Sequence, residues 1–431
     1  MYIRQVMSAS EKIFSLEGQG LKLDTAADLE PHIAPLRAMK DVKEVRMLGN
    51  SLGVGACQLL GRVLATKQSL EVAILADIFT GRLLSEIPDA LSSLLTSILN
   101  LPHLKTINLN DNAFGLNLQA PLVAFLSSHV PLQHLYLNNN GLGPHAGILI
   151  ADALSELHAK KVAARKEGKD VPDLETVICG RNRLENGSMT AWAKAFSLNN
   201  KVKEVKMVQN GIRQEGISHL LSEGLSNAAD LRILDLQDNT FTILGARALA
   251  KAAPCWGGLR ELGVGDSLLG AKGGKLLSDS LARGQNKKLE TLRLQYNEIT
   301  APSLKVLAEA AKEALPALKR VEVNGNKFGE EDVSILALQE LLEERKERLG
   351  GEVVLEDEWG VDSLSDLEDE SEGEESEEDD DDEDEEPQQV KKEELAEKLT
   401  KEAEEAQEEP VIQKKEKAMD ELAKELEKTS I

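Results

Sequence analysis

Apolar residues recur along the chain in a fixed frame, L-x-x-L-x-L-x-x-N, and an asparagine closes most rows. "VKEVRMLGN" ends at Asn50, "LKTINLNDN" at Asn112, "LQHLYLNNN" at Asn140 and "LETVICGRN" at Asn182. "VKEVKMVQN" ends at Asn210, "LRILDLQDN" at Asn239, "LETLRLQYN" at Asn297 and "LKRVEVNGN" at Asn326. Two rows end differently. "LRELGVGDS" has Ser267 in the slot, and the row through Leu70, Ala73 and Leu75 has Ile78. With both included, successive rows are 28, 34, 28, 42, 28, 29, 28, 30 and 29 residues apart.

The frame dictates local structure. The alternating LxL piece is a strand, with two residues turned inward and their neighbours outward. The asparagine serves backbone groups of the loop that leaves the strand, because buried peptide groups need partners. The second half of each unit, as in "GISHLLSEGLSNA", has apolar residues at helical spacing. One unit cannot bury its own apolar face, so neighbours must do it for each other. The predicted fold is an α/β leucine-rich repeat solenoid. It is a ribonuclease-inhibitor-like crescent of about ten or eleven repeats, with a parallel sheet on the concave side and helices on the convex side. Aromatic content is only 3%, which suits thin repetitive layers built from Leu, Ile, Val and Ala.

The ends are atypical, as caps must be. "IFSLEGQGLKLD", residues 13–24, reads as a degenerate first repeat, and "VSILALQELLEERKERLG", residues 333–350, as a final helix with a charged outer face. The repeat domain is therefore assigned to residues 1–350. Residues 352–390 hold 22 Asp and Glu and no Lys or Arg, while 391–431 hold nine Lys against 13 acids. The net charge of −25 thus belongs to the tail, and the repeat body is close to neutral. Residues 351–390 are expected to be an acidic disordered region. Residues 391–431 carry Leu395, Leu399, Met419, Leu422 and Leu426 at helical spacing, interrupted by Pro410. They read as a solvated charged segment or a partner-induced helix.

A near-neutral body lacks the basic stripe that nucleic-acid binding needs. Cys57, Cys179 and Cys255 lie far apart with no CxxC spacing, and they read as reduced, mostly buried thiols. "MYIRQVMSASEKIF" has no apolar h-region and the chain has no long apolar run, so neither secretion nor a membrane span is expected. The seven histidines form no HxxxH or HExxH spacing, and "GVGDSLLGAKGGK" lacks the order of a phosphate loop. No metal site, cofactor site or self-contained active site is expected.

Two rim features remain. The 34-residue step holds "ADIFTGR", a longer loop carrying Arg82; the 42-residue step holds "ELHAKKVAARKEGKDVPD", read as a longer helix and a solvated loop. Asn139 stands just before the structural Asn140, in a slot to which the pattern gives no structural duty. The same slot holds Asp111, Arg181, Gln209, Asp238, Asp266 and Tyr296 in other rows, a polar row along one rim.

The stretches "DIFTGR", "EIPDAL", "LNDNAFG", "LYLNNNGLGP", "ICGRNRLENGSM", "VKMVQNGIRQEG", "LDLQDNTFT" and "LRLQYNEI" go beyond any repeat consensus. Over roughly residues 5–345 the chain resembles the Ran GTPase-activating protein family in its fungal form, without the additional C-terminal domain of the animal forms. The resemblance implies an activator rather than an enzyme. It would bind the GTP form of Ran through one rim, with GTP and magnesium held by Ran and a Ran-binding protein as a further partner. It implies catalysis without an arginine finger: Asn139 positions Ran's own glutamine, and Arg82 is an interface or orienting residue. Asp77, Asp111, Arg181, Gln209, Asp238 and Asp266 become candidate contacts. Where the family has a lysine two residues after the arginine, this chain has Leu84. A monomer, a role in nucleocytoplasmic transport, and cytoplasmic or nuclear-envelope residence follow as expectations. The competing readings are a stoichiometric repeat scaffold or inhibitor, and a basic-protein chaperone working through the acidic tail.

Overall fold

A computed structural model describes residues 12–115, 119–348 and 358–367. Among these residues, twelve parallel strands form one sheet in chain order, beginning at Ile13–Ser15 and ending at Gly360–Val361. Each strand is two or three residues long and adjacent strands pair without a register slip: Val45, Ala73, Ile107, Leu135, Val177, Val205, Leu234, Leu262, Leu292 and Val321 form one continuous column. All ten are fully buried. A helical segment follows most strands and packs on its neighbours in sequence order. The solenoid expectation from the row spacing holds, including the degenerate first repeat at Ile13–Ser15 and the final helix Val333–Glu347.

The asparagines form a ladder. Asn140 Nδ2 donates to Leu137 O of its own row and Leu109 O of the row before, at 2.9 and 3.0 Å. Its Oδ1 accepts from the backbone N–H of Asn112 at 3.0 Å. Asn112, Asn210, Asn239, Asn297 and Asn326 repeat the donor pattern, while Asn182 donates to Leu137 O of the row before and meets Cys179 Sγ in its own row. Leu109 O and Leu137 O each receive two such amides. At Ile78 the ladder loses a donor, but Leu75 O keeps its bond from Asn112 and Met47 O its bond from Asn50. Ile78 N–H still donates to Asn112 Oδ1 at 2.9 Å, and its side chain enters the core instead.

A second series of donors closes the C-terminal ends of the helices, where carbonyls lack partners. Lys67 Nζ donates to Arg37 O and Met39 O, at the end of helix Ala26–Ala38. His129 sits between Leu99 O and Leu104 O, each 2.7 Å away. Arg345 donates to Ala311 O, Leu315 O and Leu318 O. The 42-residue step is the strongest case. Its helix, Gly143–Lys166, is indeed long, but its basic residues are not simply solvated. Lys161 is 1% exposed and donates to Val130 O, Leu132 O and Pro172 O at 2.8, 2.6 and 2.8 Å. Burial, then the charge of Arg165, pull its pKa down to about 7, while the nearby Asp173 opposes the fall.

The C-terminal boundary moves. Residues 358–367 are not free tail: Gly360–Val361 adds the last parallel strand, and Leu364 and Leu367 pack on the core. The Asp362 carboxylate accepts from Val323 N–H at 2.8 Å and Asn324 N–H at 3.1 Å. Burial holds its pKa above the ordinary carboxylate value. The physical reason is the open sheet edge at Arg320–Glu322, whose backbone groups need a partner. The expected acidic region otherwise lies outside the described residues, at 351–357 and 368–390, as does the whole of 391–431.

Candidate functional site

The slot before each ladder asparagine is a left-handed turn in every row. Asp77, Asp111, Asn139, Arg181, Gln209, Asp238, Asp266 and Tyr296 have φ of 47°, 61°, 54°, 56°, 54°, 57°, 49° and 54°. Gly49 and Gly325, in the first and last of these rows, have 76° and 68°. The slot therefore has a structural duty: it reverses the chain out of the strand so that the next residue can turn its amide inward. Glycine, asparagine and aspartate tolerate this region; other residues are strained there. The glycines and four aspartates in the slot were a readable sign of it. Arg181, Gln209 and Tyr296 are the rows where the backbone did not choose the side chain.

Adjacent slots stand on adjacent strands. Asp77 N–H donates to Asn110 O, Asp111 N–H to Asn138 O, and Asn139 N–H to Gly180 O, at 3.0, 2.9 and 2.9 Å. The loop of residues 76–86 thus leaves the sheet two rows before Asn139. Asp77 accepts from the Thr80 hydroxyl, which tightens the start of that loop. Asn139 is exposed, and its Nδ2 donates to Asp111 Oδ1 at 2.9 Å.

Arg82 is not held out from the loop. Its side chain is 8% exposed and lies back over the first repeats. Nε donates to Ser51 Oγ at 2.9 Å, Nη2 to Ser51 O at 2.7 Å, and Nη1 pairs with Asp24. The residues the loop does display are the next two, Leu83 and Leu84, 66% and 71% exposed. Sequence reasoning centred on the arginine and noted Leu84 only as a lost charge. The adjacent apolar pair between Arg82 and Ser85 was the signal for the larger display.

At the other end of the row, Tyr296 lies over Gly325, where an added Cβ would collide with the Tyr296 ring. Its hydroxyl donates to Asp366 at 2.7 Å, and Asp366 also accepts from Asn324 Nδ2 at 3.2 Å. These bonds lower the Asp366 pKa and raise that of Tyr296. Of the cysteines, Cys57 and Cys179 are buried, with thiol pKa values pushed up to about 12 by burial, while Cys255 is exposed. Among the described residues, no cluster of His, Cys, Asp or Glu could hold a metal, and no helix is long and apolar enough to cross a membrane.

Comparison with known proteins adds identity to this geometry. The family model described as Leucine Rich repeat matches residues 228–250 and 285–308. A Saccharomyces cerevisiae protein named Ran GTPase-activating protein 1 is 39% identical over 337 residues, covering 76% of this chain and 82% of that protein. A Xenopus laevis protein of the same name is 41% identical over 201 residues, 46% of this chain and 34% of its own length. Among solved structures, an internalin from Listeria monocytogenes is similar over 70% of this chain and 80% of its own, with 13% identity and a TM-score of 0.36. On sequence, repeat architecture and coverage together, the chain belongs to the Ran GTPase-activating protein family.

Proposed function

We propose that this chain is a GTPase activator for Ran, acting through the rim that carries Asn139. It binds the GTP form as a monomer, leaves GTP and magnesium to Ran, and admits a Ran-binding protein as a third component. By keeping Ran in its GDP form on one side of the nuclear envelope, it supports nucleocytoplasmic transport from the cytoplasmic side.

The observation that carries the mechanism is the contrast between Arg82 and Asn139. An activator can supply an arginine in trans worth about 10³ to 10⁵ in rate, roughly 4 to 7 kcal/mol. Such a finger must be free to extend. Arg82 has Nε and both terminal nitrogens engaged within the chain. Asn139 is exposed on a rigid left-handed turn in mid-row. A short, fixed amide is suited to ordering a glutamine that the GTPase already has, so that the attacking water is aligned. Arg82 then serves by holding the loop that presents Leu83 and Leu84 to the partner. Asp77, Arg181, Gln209, Asp238 and Asp266 extend the contact row, and the charges of the three aspartates and Arg181 act mainly on encounter rate and orientation.

The test is multiple-turnover GTP hydrolysis by Ran with this protein at about one-hundredth of Ran's concentration, wild type beside Asn139→Gly and Arg82→Ala. Glycine at 139 keeps the left-handed turn, as Gly49 and Gly325 do in their rows. Many turnovers per molecule, lost in Asn139→Gly, are expected. Stoichiometric binding without acceleration would instead indicate a scaffold or inhibitor.

A further inference from the structure

The structure assigns Asp111 as a positioning residue for Asn139, fixing which end of the carboxamide faces the partner. The inference rests on the activator reading above and sharpens it. An asparagine on a surface turn can present either its oxygen or its NH2 group, and an ordinary side-chain rotation exchanges them. Here the exchange is blocked. The neighbour at 2.9 Å is the Asp111 carboxylate, which only accepts, so the atom facing it must be Nδ2. Turning the amide over would set Asn139 Oδ1 against Asp111 Oδ1, two acceptors at hydrogen-bond distance. Both residues are exposed, yet their backbones are fixed. Each occupies the left-handed slot of its row, with φ of 61° and 54°, and their strands pair directly through Ile107 and Leu135. Among the described residues, this is the hydrogen bond that joins the side chains of two neighbouring slots.

The consequence is chemical. One of the two Nδ2 hydrogens is taken by Asp111, so the end of the carboxamide turned away from Asp111 is Oδ1, an acceptor. The complementary group on a glutamine is its NH2, not its carbonyl. A glutamine held by its NH2 keeps its own Oε1 free to accept a hydrogen bond from the attacking water. An asparagine turned the other way would donate to that Oε1 and compete with the water. Asp111 therefore sets the polarity of the contact, and Asn139 transmits it. The role differs from a docking contact, in which Asp111 would meet the partner itself.

The experiment compares hydrolysis by Ran·GTP with the full-length wild type, Asp111→Gly, Asp111→Asn, Asn139→Gly and the double glycine variant. Glycine removes the carboxylate without adding strain at a positive φ. Thermal midpoints establish that each variant folds. The expected result for Asp111→Gly is a kcat reduced by about tenfold to a hundredfold, the scale of a small misplacement, with KM changed by less than about twofold. Asp111→Asn retains an acceptor carbonyl for Asn139 Nδ2 and recovers most of the rate. The double variant is no slower than Asn139→Gly alone, because the two residues act as one unit. A raised KM with unchanged kcat in Asp111→Gly would overturn the assignment and make Asp111 a contact residue. So would effects of the two substitutions that multiply. A silent Asp111→Gly beside a crippled Asn139→Gly would sink the positioning role alone. A fully active Asn139→Gly would remove the underlying activator mechanism as well.

Discussion

Arg82 and Asp24 form an ion pair whose arginine is nearly enclosed while its aspartate remains half exposed. The pair joins the loop of residues 76–86 to the first repeat, across the row that ends at Asn50. The guanidinium also grips Ser51 twice. The loop's geometry therefore depends on Asp24, in the N-terminal cap, and on Ser51, just after the row that ends at Asn50.

If bracing is the role of Arg82, its partner can be removed with a related result. Asp24→Ala should lower activation in the same sense as Arg82→Ala, though less, since Ser51 still holds the arginine. Arg82→Lys should fail to restore it, because one ammonium cannot span Ser51 Oγ, Ser51 O and Asp24 together. Loss of these charge-assisted bonds should cost about 1.5 to 3 kcal/mol in urea unfolding for Arg82→Ala. An Arg82→Ala variant of unchanged stability and no activity would point back to a finger.

The ladder predicts opposite signs at two positions. Asn140→Ala strips donors from Leu109 O and Leu137 O and the acceptor from Asn112 N–H, and should destabilise by about 2 to 4 kcal/mol. Ser267→Asn restores a rung, adding a donor to carbonyls of two rows, and should stabilise by about 0.5 to 1.5 kcal/mol. Urea midpoints of the two variants measure both.

Lys161 gives a pH signature. Its folded pKa is about 7, well below the ordinary lysine value of about 10.4, so between these limits the unfolded chain binds more protons. Its contribution is full above the unfolded value and is lost as pH falls toward the folded one. The melting-temperature gap between wild type and Lys161→Met should therefore shift in favour of the wild type from about pH 7 to about pH 10. At every pH the variant takes from Val130 O, Leu132 O and Pro172 O the N–H donors of Nζ, three when it is charged and two when it is neutral, and should be less stable. A gap that is flat with pH would mean that the ammonium stays charged in the fold.

Much of this fold was legible because a row of the repeat is short, and its inward residues recur with a period that helices and loops cannot hide. Leu135, Leu137 and Asn140 declare their places from spacing alone. Lys161 did not, because a lysine that reaches back to carbonyls of an earlier repeat looks the same in sequence as a solvated one. Residues 358–367 were hidden for a related reason: their acidity suggested solvation, while the bonds that hold them come from Arg320, Val323 and Asn324. On the candidate rim, Asn139 was singled out through likeness of motif, whereas its bond to Asp111 arises from strand pairing across 28 residues and has no local mark.

Gly325 connects the last rim turn to the segment after the repeats. Gly325→Ala would drive a methyl group into the Tyr296 ring and strain a backbone at φ 68°. It should displace Tyr296, release Asp366, and cost about 1 to 3 kcal/mol. Limited proteolysis should then cut residues 358–367 faster than in the wild type, while Asn324→Ala should speed cleavage without straining the turn. Equal cleavage rates in all three proteins would show that this segment is held by its strand pairing, the Asp362 bonds and the packing of Leu364 and Leu367, and not by Asp366.

The left-handed slots also divide the labour of sequence change. Each strand from Glu44–Arg46 to Arg320–Glu322 contributes one slot, so successive side chains follow one another at the spacing of a sheet, about 4.7 to 4.9 Å. The rim is a scale of fixed graduation, with one interchangeable character per mark. Because the ladder asparagines carry the architecture from the neighbouring position, a character can be rewritten without disturbing the core beneath it. A lineage can thus retune its partner's fit mark by mark, within a vocabulary that the turn itself keeps small.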